Sequence, residues 1–135
     1  MASILVLCYG AMFAACAIVS GVMYRAADSV LEAIAVMRRG SRTPPGAAAG
    51  DAARRSARCI GFVPALVMHG DSDSAVNPLN ADQIIEQFRE VAQVVTTAPA
   101  PLAESTERRV TTAGRAYRQR DYLSANVISI KRVKI

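Results

Sequence analysis

Apolar and polar positions follow different rhythms along this chain, and each rhythm predicts an element. Residues 1–24 carry no charged side chain. Within them, Ala2 to Tyr9 suits the end of a buried helix and Tyr9-Gly10 a turn. Phe13 to Val19 is a continuous apolar run of the kind a fully buried parallel strand shows, and Ser20-Gly21 closes it. From Asp28 to Arg39 the period becomes helical, with Val30, Leu31, Ile34, Ala35 and Met37 on one face. Asp28 or Ser29 suits the start of that helix, Arg38-Arg39 its negative end and Gly40 its stop. Ser41 to Asp51 is rich in Pro, Gly and Ala and reads as a loop, with Ala52 to Arg58 a short helical turn or part of the same excursion. Phe62 to Met68 is the next strand. Asn80 to Val94 is the strongest helix, with the stripe Ile84, Ile85, Phe88, Val91 and Ala92, and Asn80 with Gln83 resembles a capping pair. Residues 96–106 read as a loop, Arg108 to Tyr122 as a hairpin turning at Thr111-Thr112-Ala113-Gly114, and Val127 to Ile135 as an alternating strand. There is no internal repeat, and 135 residues suit one domain.

The chemistry concentrates after the strand at 62–68. His69-Gly70-Asp71-Ser72-Asp73-Ser74-Ala75-Val76-Asn77-Pro78 is a small, polar, acidic loop between a buried strand and a helix. Open α/β sheets keep their chemistry at the C-terminal ends of buried strands. Asp73 and Asp71 are therefore candidate functional acids. Both residues also suit a simple turn and helix cap, a common use of Asp.

Composition narrows the classes. At 52% hydrophobic and 20% charged residues the chain is not disordered. The net charge is +5, almost all of it arginine, but the arginines fall in small scattered groups and aromatics make up only 5%. Nucleic-acid binding calls for a dense basic face with stacking aromatics, so no nucleic-acid partner is expected. Cys8, Cys16 and Cys59 show no metal or redox spacing, and the single histidine rules out a His-rich metal site. No cofactor is expected. Cys8 and Cys16 suit small buried thiols.

The apolar N-terminus keeps three readings open. About 20 apolar residues can cross a bilayer. A signal peptide fits less well, because no Lys or Arg precedes the apolar core. A soluble helix, turn and buried strand accounts for Tyr9-Gly10.

Several segments then resemble one family in sequence order. Met1-Ala2-Ser3-Ile4-Leu5 and Tyr9-Gly10-Ala11-Met12-Phe13-Ala14-Ala15 are similar to the helix and turn downstream of a Gly-x-Ser-Ala-Gly-Gly nucleophile elbow. Gly10 stands where that turn usually has Pro. Ser20-Gly21-Val22-Met23-Tyr24 matches a Ser-Gly-x-x-Tyr segment, and Ala33 to Gly40 an Ala-x-x-x-Met-x-x-Gly helix. His69, Gly70, Asp73 and Val76 fill the pattern His-Gly-x-x-Asp-x-x-Val, and Asn77-Pro78-Leu79-Asn80 resembles the segment after the acid loop. Together, over roughly residues 1–125, these resemble the polyhydroxybutyrate depolymerase type of esterase.

The resemblance implies an α/β fold: a partial α/β-hydrolase, the C-terminal half of a mostly parallel sheet with flanking helices, as a single truncated domain over residues 1–135. It implies Asp73 as the acid of a Ser-His-Asp triad, orienting a histidine and stabilising its positive charge. It favours the non-membrane reading of residues 1–24 and implies an extracellular or periplasmic setting. The substrate it implies is an ester or polyester. No Gly-x-Ser-x-Gly and no second histidine occur in the 135 residues, so the nucleophile and base are missing and inactivity alone is expected. His69 precedes the acid loop, at a place where the family holds a histidine that is not its base. With the first strands of such a sheet absent, Phe13 to Val19 would lie at an open edge, and self-association or complementation through that edge is expected. The alternative is a small non-catalytic membrane or envelope protein anchored by residues 1–24.

Overall fold

The computed structural model describes residues 1–56, 63–95, 103–104, 107–123 and 129–134. Along the chain these form α1 (Ala2–Cys8), a 3-10 turn (Gly10–Met12), β1 (Cys16–Val19), α2 (Val30–Arg39), α3 (Pro45–Ser56), β2 (Ala65–His69), α4 (Leu79–Val95), β3 (Ala103–Glu104), β4 (Arg108–Thr112), β5 (Arg115–Leu123) and β6 (Ser129–Lys134).

The strands make one sheet in the order β1-β2-β6-β5-β3, with β4 also on β5. β1, β2 and β6 run parallel, Cys16 beside Ala65 and Ala65 beside Ile130. β5 is antiparallel to β6, β4 and β3. The architecture is therefore α/β, but among the described residues parallel pairing is confined to β1, β2 and β6, against the mostly parallel sheet expected. The hairpin explains this: β4 and β5 are joined by Ala113-Gly114, at φ 50° and 75°. A two-residue turn with both residues left-handed joins only antiparallel strands.

The core lies between α4 and the sheet, with α3 against α4. Ile84, Ile85, Phe88, Val91 and Ala92 are buried on α4, as their spacing predicts. They meet Val6, Leu7, Ile18, Val67 and the small side chains Ala49 and Ala52. Arg89 lies over the buried Tyr122 ring, 5.4 Å from its centre.

The structure corrects four expectations. Pro45–Ser56 is a helix rather than mostly loop. Pro is at home in a helix's first turn, and the alanines that suggest a loop by composition are good helix formers; Ala48, Ala49, Ala52 and Ala53 let α3 pack closely on α4. β1 is shorter than Phe13 to Val19, and only its Ile18 is buried, because it is the end strand of the sheet. In α2 the apolar row Val30, Leu31, Ile34 and Met37 is exposed and only Val36 is buried. Asn80 does not cap α4; it is buried and donates to the carbonyls of Val36, Met37 and Asn77. Asn77 takes the capping role, its Oδ1 accepting the N–H of Leu79.

Residues 1–24 divide into α1, the 3-10 turn and β1, and no described helix is long and apolar enough to cross a membrane. Anchoring by a helix over residues 1–24 is thus not what this segment forms. The loop expected at 96–106 falls mostly outside the described residues.

Candidate active site

The site forms where β1 and β2 end side by side. β2 alternates, burying Ala65, Val67 and His69. The ladder continues past β1, with Ser20 N–H donating to the Met68 carbonyl at 3.0 Å. After His69 the chain leaves the sheet. The Asp73 N–H donates to the Gly70 carbonyl at 3.3 Å, and its own Oδ1 accepts from the N–H groups of Ala75 (3.0 Å) and Val76 (2.9 Å). This is the local side-chain-to-backbone turn that Asp makes readily. At the far end, Asn77 N–H donates to the Met37 carbonyl at 2.7 Å, tying the loop to α2.

Two further side chains converge on the loop. Ser20 stands at φ 45°, in the left-handed region, and its side chain is among the groups that lower the Asp73 carboxyl. His69 Nε2 donates to the Val76 carbonyl at 2.7 Å and lies 3.7 Å from Asp73 Oδ2. A carbonyl only accepts, so Nε2 carries the proton. In the neutral ring Nδ1 is then bare; it is buried, with no hydrogen-bond partner among the described residues.

The Val76 N–H, the Ser20 hydroxyl, the Ala75 N–H and the nearby His69 ring hold the Asp73 carboxyl below its ordinary value, against an opposing effect of desolvation. Asp73 is thus an ionised carboxylate, fixed at the C-terminal ends of two parallel strands, with lone pairs left for another donor. Such a group can orient a histidine and stabilise its cation.

The other candidates lie differently. Asp71, two residues earlier, is exposed and forms an ion pair with Arg118 of β5, whose guanidinium is also 3.7 Å from Glu107. Ser72 is exposed in the loop, as is Ser74. His69 spends its N–H on a carbonyl, and Ser20 lacks the flanking glycines of a nucleophile elbow, so neither is arranged as base or nucleophile. Cys8 and Cys16 are free and half-buried rather than fully buried. Burial pushes the Cys16 thiol up to about 11. Cys59 lies outside the described residues.

A parallel strand pair ending in a braced carboxylate defines an α/β protein with its polar chemistry at the strand ends. The model of the family Esterase PHB depolymerase matches residues 1–112, and the chain belongs to that family, a family of ester hydrolases. None of the curated proteins compared with the chain matches it. The family match stops at Thr112, the last residue of β4. β5 and β6 lie beyond it, yet β6 pairs with the acid-bearing strand β2 and β5 supplies Arg118 to the acid loop.

Two contributors to the site are not legible in the sequence. Ser20 reads there as the residue closing a strand and opening a Ser-Gly-x-x-Tyr segment; its influence on Asp73 goes with a left-handed φ that no local pattern announces. Arg118 sits 47 residues from Asp71, and nothing in either segment names the other.

Proposed function

We propose that this chain is the acid-bearing part of a serine esterase acting on polyhydroxybutyrate or other short acyl esters, with Asp73 as the triad acid. The observation that carries this reading is the Asp73 carboxylate, fixed at the end of a parallel strand in a chain of the esterase family. In an intact enzyme the ester would be cleaved through an acyl-serine: serine oxygen bonds to the acyl carbon, the alcohol leaves with a proton from histidine, and water releases the acid. Asp73 would hold that histidine in the right tautomer and balance its charge.

These 135 residues, on this reading the C-terminal half of an α/β-hydrolase domain, are inactive by themselves. Neither a Gly-x-Ser-x-Gly elbow nor a second histidine is present to form the acyl bond or move the proton. Activity then requires a polypeptide that supplies both. The open edge of β1 is where such a segment, or a second copy, would add to the sheet, since its outer backbone groups face no strand among the described residues. An extracellular or periplasmic place of action goes with this reading.

The test is hydrolysis of p-nitrophenyl butyrate. The chain alone should show none. Mixed with a polypeptide bearing the elbow and the base, it should gain activity that Asp73→Asn lowers by about 10⁴-fold. Turnover by the chain alone, lost on Asp73→Asn, would overturn the inactivity. Reconstituted activity indifferent to Asp73→Asn would overturn the assignment of the acid.

A further inference from the structure

We infer that His69 is a positioning residue for the Asp73 carboxylate, a strut that closes the neck of the acid loop. The inference deepens the reading of Asp73 as the acid and rests on it for its catalytic meaning, though the geometry stands by itself.

His69 occupies the third inward position of β2, after Ala65 and Val67. An apolar side chain there would fill the core at no polar cost. A buried imidazole has to satisfy its nitrogens or lose the hydration each enjoyed. His69 satisfies Nε2, and its Nδ1 has no partner among the described residues. What the imidazole adds over an apolar residue is therefore the bond to Val76, together with its closeness to the Asp73 carboxylate. That bond has a specific target. The carbonyl of Val76 is held by His69 while its N–H is held by Asp73 Oδ1. The two bonds grip one residue from its two backbone ends. Fixing the carbonyl fixes the direction of the N–H, and the N–H is the foremost stabiliser of the Asp73 charge.

The test is the carboxyl titration of Asp73 in the full 135-residue chain, followed by carbon NMR. In the unaltered protein it should fall below the ordinary value of 3.8. His69→Gln, whose amide can replace the Nε2–H donor, should keep it low. His69→Leu, which fills the core without a donor, should raise it toward the ordinary value. A purely structural role would lower stability in these variants but leave the titration of the folded protein unmoved, and that result would overturn the inference. The unaltered protein offers a second reading that does not depend on His69→Leu folding. Long-range nitrogen NMR should show the Nε2–H tautomer, and an Nδ1–H tautomer would overturn the strut. These readouts are separate from the reconstituted esterase assay, so a failed strut and a failed acid assignment give different results.

Discussion

The side-chain amide of Gln87 bonds both backbone polar groups of Tyr24: Oε1 accepts the Tyr24 N–H at 2.8 Å, and Nε2 donates to the Tyr24 carbonyl at 3.0 Å. Gln87 is wholly buried on α4, and Tyr24 belongs to the segment between β1 and α2. One side chain thus stands in for a strand partner and fixes the stretch of chain beyond Ser20.

Removing that amide strips two buried backbone groups of this partner. Each such loss costs about 1–3 kcal/mol, so Gln87→Leu should destabilise the fold by roughly 2–4 kcal/mol despite its gain in apolar surface. Urea unfolding measures this as a lower midpoint. A midpoint within error of the unaltered protein would mean that the Tyr24 segment repacks without the clamp.

Gly40 ends α2 at φ 79°, and a Cβ there would lie 2.9 Å from Leu79 Cδ2 and 3.1 Å from Gln83 Oε1. Gly40→Ala therefore combines left-handed strain with crowding against the first turns of α4. A cost of about 1–3 kcal/mol is expected. It should be visible as a fall in thermal midpoint, and a gain in stability, as Gly→Ala gives at helical φ, would contradict the geometry.

The carboxyl of Asp73 is held below 3.8 in the folded chain, chiefly by the Val76 N–H. A depressed carboxyl contributes stability that is fully present above its unfolded value and is lost as pH falls through 3.8 to its lower folded value. Asp73→Asn removes this titration. Its stability should decline less than that of the unaltered protein as the solution is acidified through this range, read as the difference between two urea midpoints against pH. Parallel curves would show that Asp73 titrates alike in the folded and unfolded states.

Burial lifts the Cys16 thiol from 9.0 to about 11 in the folded chain. Reactivity follows the thiolate, so folding should cut its thiolate fraction near neutral pH by about a hundredfold. Timed alkylation with iodoacetamide, followed by peptide mass analysis, should label Cys16 slowly in the native protein and rapidly in urea. Equal rates would place the thiol in water.

The sequence is informative where a local pattern meets a matching surface. The α4 stripe is buried as its spacing predicts, because β2 and α3 pack against α4. The hairpin forms where Ala113-Gly114 permits two left-handed residues. The place of β6 is not legible in the same way. Its alternation predicts a strand, but its neighbours are set by Lys131 lying beside Leu66 on one side and Asp121 on the other. No local pattern specifies either partner, so tertiary pairing alone decides where the strand goes.

The candidate site divides along the same line. The pattern His-Gly-x-x-Asp-x-x-Val singles out the loop, and spacing alone leaves Asp71 and Asp73 as rivals. The fold separates them by their partners: β5 brings Arg118 to Asp71, while the loop's own N–H groups turn to Asp73.

The α2 row gives the plainest contest between pattern and packing. Its period alone would make Val30, Leu31 and Ile34 core residues, yet Val30 and Leu31 are 77% and 81% exposed while Val36 is 4% exposed. The helix is held instead at one end, where Asn80 reaches the carbonyls of Val36 and Met37. Leu31→Gln should therefore change stability by no more than about 0.5 kcal/mol, the range of ordinary surface substitutions. Val36→Ala should cost roughly 1–3 kcal/mol, because it strips buried methyl groups from the only buried side chain of the helix. The two urea midpoints decide between pattern and packing. A large loss for Leu31→Gln would mean that the apolar row is covered in solution, and measuring the same variant across a range of protein concentrations would then show whether a second copy covers it.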